Sequence, residues 1–424
     1  MSTQSGGSGT VQDTGEEVEK ETSPGVRSNC ASGMNCVHWF NDELPPVTTP
    51  VPILQTCFSR SWGGLEIQAL EVATQIGKRG YPTALACCTA SRLASEARAR
   101  SLEVAEFPVT GYFHPGAIWN LSRYIRSKAF RIIHCQHSKD LSVVVPAADL
   151  SRVSPKIILS KRVGSYLSKR DLFHRYTYSR VSRVLAISEV IRRNVLETTP
   201  MARARVMTLH DAIDAEEYSP ARGDRTRVRD GFGFTKKNIV VGFVGRFSPG
   251  KGHEELLHAA AEVVPARPLV RFLVAGEASA GEEAYERGIR ALCTSLGLDG
   301  AVTFAGFRRD IPDVMASFDL LAFPSHAESF GVVLIEAMAM ELPVVSTNCD
   351  GVLDIVVEGE TGLYVPPRNS KELASTLLRL IDDPDLRRRL GVAGRKRVLE
   401  LFDRRNQIDR LENIYAEVLA EPST

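Results

Sequence analysis

The chain has 424 residues, 43% of them hydrophobic and 24% charged, with 52 Lys plus Arg against 51 Asp plus Glu. That length exceeds what a single hydrophobic core usually supports, so two domains are expected. The near-neutral balance excludes a nucleic-acid-coating protein, and the longest apolar runs, such as Ile239 to Val244, are far too short to cross a bilayer.

Residues 1–46 are rich in Gly, Ser and Thr, carry Glu16, Glu17, Glu19 and Glu21, and show no apolar period. A disordered arm is expected there, with a regulatory or docking role as the alternative. The first twenty residues hold no apolar core of a secretory signal. The cysteines form no C-x-x-C pair, and several fall in apparent strands, which fits reduced thiols and a cytoplasmic protein.

From Val51 an alternation begins. Val51–Phe58 reads as a strand, Ser61-Trp62-Gly63-Gly64 as a turn, and the spacing from Leu65 to Ile76 as a helix ending near Gly80. Further buried strands are expected at Ala84–Cys88, Arg131–Gln136, Lys156–Ser160, Val184–Ser188 and Arg205–Leu209. The polar stretch from Asp214 to Lys237, with Pro220, Gly223 and Gly231, reads as a hinge. The second half repeats the alternation with strands at Ile239–Val244, Val270–Ala275, Val302–Ala305, Leu320–Phe323, Pro343–Ser346 and Gly362–Val365. Helices are expected at about 251–264, 281–296, 310–317, 331–341, 350–357 and 371–381. Alternating strands and helices mean an α/β fold with parallel sheets covered on both faces. Two doubly wound domains would face each other across a cleft, with ligands at the carboxyl ends of the strands.

The strongest chemical signal is Ser325-His326-Ala327-Glu328-Ser329-Phe330-Gly331, with Glu336 eight residues after Glu328. Glu328 belongs to the loop after a strand, and the Ser329–Val332 amides stand where a helix begins. Two carboxylates beside such donors suit a polyhydroxyl ligand. The plainer alternative makes Glu328 a helix-dipole partner and Glu336 a satisfied core acid. The second signal is Gly245-Arg246-Phe247-Ser248-Pro249-Gly250-Lys251-Gly252, a glycine turn between strand and helix. As a P-loop it fails, because Gly252 stands where the magnesium-binding hydroxyl belongs and Pro249 removes an amide. Arg246 and Lys251 fit diphosphate neutralisation without a metal, or else a solvated turn. Asp383-Pro384-Asp385 precedes a helical run and reads as a cap rather than a metal site. His253 and His258 have the wrong spacing for zinc.

Together, Glu-Ser-Phe-Gly-x4-Glu and Gly-Arg-x4-Lys-Gly resemble the retaining nucleotide-sugar glycosyltransferases of family four, with their Glu-x7-Glu motif. The resemblance implies a GT-B fold: two Rossmann-like domains facing across a donor-binding cleft. It implies an acceptor domain over 47–214, a linker over 215–237, a donor domain over 238–400, and a final helix over 401–424 docking back on the first domain. Arg246 and Lys251 would bind the donor diphosphate, Glu328 the donor sugar and Glu336 the ribose. Ser329, Phe330, Gly331 and Val332 would offer backbone amides, and the Gly306-Phe307-Arg308 turn would grip the base. Gly63 and Gly64, in Trp62-Gly63-Gly64-x-Glu66, resemble the loop that closes over the donor phosphates. His137 matches the position that meets the donor sugar, with a purely structural histidine as the alternative; His134 should face the core. Asp350-Gly351 stands where the family often has Gly-Gly, and Asp211-Ala212 replaces its Asn-Gly ahead of Asp214.

Arg152 to Arg205 carries thirteen basic residues against three acidic ones. An anionic membrane, a phosphorylated lipid acceptor or an anionic polysaccharide would account for it, as would a solubilising surface balanced by nearby acids. The implied activity is metal-independent transfer from a UDP- or GDP-sugar, without a cofactor, to a hydroxyl acceptor, with a lipid-linked or anionic acceptor as one option. Cell-envelope polysaccharide, lipopolysaccharide or glycolipid synthesis is the expected setting. The expected location is cytoplasmic, with peripheral contact to the inner face of the cytoplasmic membrane and no nucleic-acid partner. A same-fold epimerase or hydrolase and a non-catalytic sugar-nucleotide binder are the alternatives.

Overall fold

A computed structural model describes residues 50–109, 114–279 and 281–422. The arm expected over residues 1–46 lies outside the described residues.

The first half alternates β1 (Ile53–Cys57), α1 (Gly64–Lys78), β2 (Thr83–Cys88), α2 (Arg92–Ala99), β3 (Glu103–Phe107), α3 (Pro115–Lys128), β4 (Ile132–Cys135) and α4 (Leu141–Ser151). It continues with β5 (Lys156–Lys161), α5 (Leu172–Ser179), β6 (Val181–Ala186), α6 (Glu189–Thr198) and β7 (Val206–Thr208). All seven strands are parallel, in the order β3-β2-β1-β4-β5-β6-β7. β1 and β4 are buried along their whole length, because helices cover both faces of the sheet.

The second half opens with α7 (Arg225–Gly231) and then runs β8 (Ile239–Val244), α8 (His253–Ala266), β9 (Val270–Ala275), α9 (Glu283–Ser295) and β10 (Val302–Gly306). It continues with α10 (Ile311–Ala316), β11 (Leu320–Phe323), α11 (Val332–Ala339), β12 (Val344–Thr347) and β13 (Gly362–Val365), then closes on α12 (Ser370–Asp382), α13 (Pro384–Leu401) and α14 (Arg404–Ala420). Its sheet has the order β10-β9-β8-β11-β12-β13. Each sheet therefore reverses direction once, between β1 and β4 and between β8 and β11. These reversals are the switch points where doubly wound sheets open a crevice.

Four expectations need correction. β3 was not anticipated: it is an edge strand with exposed Glu103, so it lacks the apolar run of a central strand. β6 ends at Ala186, two residues before the expected limit, because Ser188 turns to cap α6. The helix expected over 350–357 is a 3-10 turn over Asp350–Asp354, begun by Asp350 in the left-handed region at φ 42°. The stretch read as a hinge contains α7, whose Arg229 is buried and bonds Asp319 at 2.5 Å beside β11.

Helix α14 packs Ile408, Leu411, Ile414, Tyr415 and Val418 on the N-terminal sheet, against Ile53, Ile132, Ile158 and Leu185. Burying each such side chain contributes roughly 1.5–3 kcal/mol. The Tyr415 hydroxyl lies 2.7 Å from His134 Nδ1 and accepts from Gln55 Nε2 at 3.1 Å. His134 is a core residue held neutral, its pKa pushed down to about 3 by burial and by nearby Arg162.

Candidate active site

Most of the sequence-selected residues lie beside the two switch points, whereas the Gly306–Arg308 turn lies at the end of the edge strand β10. Gly63 and Gly64 follow β1, and His137 follows β4. Arg246 and Lys251 follow β8, and Glu328 follows β11. The carboxyl edges of the two sheets meet. Ser188, after β6, donates to the Ser329 carbonyl at 2.6 Å, and the Glu189 amide donates to Asp354 at 2.7 Å. His210, after β7, lies 3.0 Å from the same Asp354 carboxylate and stacks on Phe330 at 5.5 Å.

In the C-terminal half the two motifs become one structure. Lys251 Nζ donates to Glu328 Oε2 at 2.6 Å, and the His326 amide donates to the Gly250 carbonyl at 2.8 Å. Gly252 has φ 83°, and a Cβ there would lie 2.2 Å from the Pro324 carbonyl oxygen. Only glycine lets the turn approach the β11 loop this closely. Arg246 is exposed and bonds Ser279 at 3.0 Å, while His326 leans on Glu255 at 2.8 Å. Gly306 has φ 66° and takes the Gly276 amide on its carbonyl at 2.9 Å. Phe307 is exposed, and Asp310 holds Arg308 by two bonds of 2.8 and 2.6 Å. The backbone is thus what that turn offers. The Phe330 ring is buried at the seam against His210 and Phe402, and the Val332 amide opens α11. Asp383 caps α13 through the Leu386 amide at 2.8 Å.

In the N-terminal half Gly63 is extended at the start of α1, and nothing lies within 4 Å of a Cβ placed at Gly64. His137 is partly exposed, with Nδ1 unbonded and 3.7 Å from Asp140. Asp140 is buried and accepts from the Phe58 amide at 3.3 Å and from Thr56 at 3.2 Å.

Residues 62–217 match Glycosyltransferase Family 4, and residues 224–397 match Glycosyl transferases group 1. A D-inositol 3-phosphate glycosyltransferase of Mycobacterium sp. (strain KMS) is 30% identical over 322 residues, covering 75% of this chain and 68% of that protein. The chain belongs to the family-four glycosyltransferases. The alpha-D-kanosaminyltransferase of Streptomyces kanamyceticus is 29% identical over 247 residues, 58% of this chain. The matched region spans 62% of that relative's own length. Anabaena HepE, solved in complex with UDP, superposes with a TM-score of 0.77 at 23% identity, over 86% of this chain and 100% of that one. The fold is GT-B.

Asp350 stands in the left-handed region at φ 42°, a conformation that favours glycine, and its carboxylate accepts the Glu328 amide at 3.3 Å. Gly351 is held tighter still, since a Cβ would lie 2.2 Å from the Ser329 carbonyl oxygen. Sequence reasoning missed Asp140, His210, Arg162 and Asp354. Asp140, three residues after His137, was the nearest to being found. Arg162 was counted as surface charge, yet it is buried and paired with Asp211 at 3.1 Å.

Glu336 is half-buried on α11 and accepts the Tyr218 hydroxyl at 3.0 Å. Burial, with the nearby Glu217 charge adding to it and Tyr218 opposing, pushes its pKa up to about 7 from 4.5. A carboxyl raised in the folded state stabilises fully below its unfolded pKa and loses that contribution as pH rises through the folded value. Thermal unfolding of wild type and Glu336→Gln should show this directly. Relative to the variant, wild type loses stability between about pH 5 and about pH 8. Parallel curves would contradict the raised value.

Proposed function

We propose that the chain is a retaining, metal-independent glycosyltransferase that moves a sugar from a nucleoside diphosphate to an acceptor hydroxyl. The observation that carries this is the Lys251–Glu328 pair at 2.6 Å, placed by the strands that flank the C-terminal switch point. Arg246, on the same loop, adds a second cation. The donor diphosphate would draw Lys251 from Glu328 and be neutralised by it and by Arg246. As the glycosidic bond breaks, these cations stabilise the departing phosphate where its charge develops. Glu328, released, accepts donor-sugar hydroxyls near the anomeric carbon. Glu336 receives the ribose, the Gly306–Arg308 backbone the base, and the Ser329–Val332 amides the sugar. His137 meets the sugar from the N-terminal side, where Gly63 and Gly64 close on the phosphates. The acceptor attacks from the face that the phosphate leaves, and that phosphate takes its proton. Retention then needs no side-chain nucleophile.

Lys251→Ala should lower kcat/KM for the donor by roughly 10²-fold while leaving the fold intact. An unchanged kcat/KM removes Lys251 from the diphosphate. Proton NMR of the wild-type product should show the donor's anomeric configuration kept, and inversion would contradict the mechanism.

The acceptor side faces an envelope lipid or polysaccharide precursor in this reading, with peripheral contact to an anionic membrane. Among the described residues no helix is long and apolar enough to cross a membrane. Much of the basic stretch is spent in pairs: Arg162 with Asp211, Arg180 with Asp149, Arg183 with Glu421 and Arg192 with Glu189. What supports the membrane is the apolar surface around it. Tyr166, Leu167 and Leu172 are exposed, with exposed Arg170 and Arg175 between and beside them. Such aromatic and aliphatic tips flanked by cations suit a lipid interface. Replacing Tyr166 and Leu167 by serine should release the protein from phosphatidylserine vesicles in a flotation assay. Failure of the wild type to bind such vesicles at low salt would end the membrane reading.

A further inference from the structure

Asp140 is a buried carboxylate, 1% exposed, that makes none of the proposed donor contacts. It ends the short turn Ser138–Asp140 that follows β4. β1 and β4 run side by side there, with Thr56 paired to Cys135, so the turn stands on the switch point of the N-terminal sheet. The Asp140 carboxylate accepts from the Thr56 hydroxyl at 3.2 Å and from the Phe58 amide at 3.3 Å. A carboxylate taken out of water is costly unless a partner meets it. The basic side chain that reaches this one is His137, whose Nδ1 lies 3.7 Å from Oδ1.

His137 presents its two ring nitrogens to different surroundings. Nδ1 is buried and makes no hydrogen bond among the described residues, while the side chain as a whole is 30% exposed. The open part of the ring is therefore the edge away from Nδ1, where Nε2 stands. Which nitrogen of an imidazole carries the proton is set by the group that faces the other. Burial pushes the Asp140 carboxyl up, and its contacts with His137, Phe58 and Thr56 pull it back.

We propose that Asp140 is a positioning residue: it keeps the His137 proton on Nδ1 and leaves Nε2 to accept a hydroxyl of the donor sugar. The 3.7 Å separation closes when the sugar engages Nε2, as catalytic contacts commonly tighten in the bound complex. A hydroxyl that donates to Nε2 gains electron density on its oxygen. That density stabilises the positive character that develops at the anomeric carbon as the glycosidic bond breaks. No covalent bond to His137 or Asp140 forms, and neither gives up a proton. The sugar contact rests on the reading of His137 given above; the orientation of its ring does not. A purely structural Asp140 would hold Thr56 and Phe58 and leave the imidazole free to take either tautomer.

Nitrogen NMR of the full chain with isotopically labelled histidines reads the tautomer directly, the His137 signals being identified by their loss in His137→Ala. At about pH 8 the wild type should carry its proton on Nδ1. Asp140→Asn keeps an oxygen for the Phe58 amide and should fold, but its side-chain NH2 can turn to Nδ1, and the proton should move to Nε2. A wild-type ring protonated on Nε2, or an even mixture of tautomers, overturns the proposal without any need of that variant. Turnover supplies the second arm, with UDP-glucose and GDP-mannose as donor probes and release of the nucleoside diphosphate as the readout. Asp140→Asn should lower kcat by about 10- to 100-fold while KM for the donor stays within about twofold. In a His137→Ala background the same substitution should cost nothing further, because the two residues act as a unit. Losses that multiply mark Asp140 as a structural support of β1 and overturn the proposal. If neither probe is turned over, the tautomer alone decides. If His137→Ala keeps full kcat while the wild-type proton is held on Nδ1, the sugar contact of His137 falls and its orientation by Asp140 stands.

Discussion

The return of α14 to the N-terminal sheet sets the geometry of everything else. Its anchor is the Tyr415 hydroxyl, which sits between His134 on β4 and Gln55 on β1. The bonding continues from Gln55 to Gln136 at 2.7 Å, from Gln136 to Arg162 at 2.7 Å, and from Arg162 to Asp211. These groups are buried, so a slip of the helix would strand several polar atoms at once. The chain crosses between its halves twice, and the crossings run side by side: Ile213 donates to the Phe402 carbonyl at 3.1 Å and accepts from the Arg404 amide at 2.8 Å. With both crossings pinned, the carboxyl edges of the two sheets are held facing each other.

That constraint divides the chemistry unevenly. In the C-terminal half, the main cation of the site is neutralised within its own half, Lys251 by Glu328. Such a pair is a resting arrangement that an incoming dianion can exchange into. In the N-terminal half Lys161 is buried, and Arg162 beside it is paired with Asp211 at 3.1 Å. The seam residues between them, Ser188, His210, Asp354 and Phe330, supply neutral hydrogen bonds, one carboxylate and ring stacking. Apolar packing accompanies these polar contacts, since one buried cluster runs through both halves and includes Ile187, Ile191, Ile213, Phe330, Ile355 and Phe402.

Much of the C-terminal half was legible in the sequence because most of its strands are largely apolar runs followed by Gly or Pro. β8, β9, β11 and β13 begin and end where that pattern places them. The chemistry-bearing loops were legible for a related reason: glycines at 250, 252, 331 and 351 meet backbone demands that few other residues satisfy. What escaped was set by partners far along the chain. Asp354 matters through His210, 144 positions away, and Arg162 through Asp211, 49 positions away. Neither has a local pattern. The charge surplus of residues 152–205 was legible only as a count for the same reason, since a count cannot see that Arg183 meets Glu421 or that Lys161 is buried.

The central claim is that the cleft receives a sugar nucleotide. Thermal unfolding of the full chain against a panel of nucleotide sugars, nucleoside diphosphates and monophosphates tests it most directly. A ligand at 100 times its dissociation constant adds about 2.7 kcal/mol of stability. The account predicts that one nucleoside diphosphate and its sugar conjugates raise the unfolding temperature, and that the matching monophosphate raises it much less. A flat response across the panel, or equal shifts for mono- and diphosphate, would contradict it.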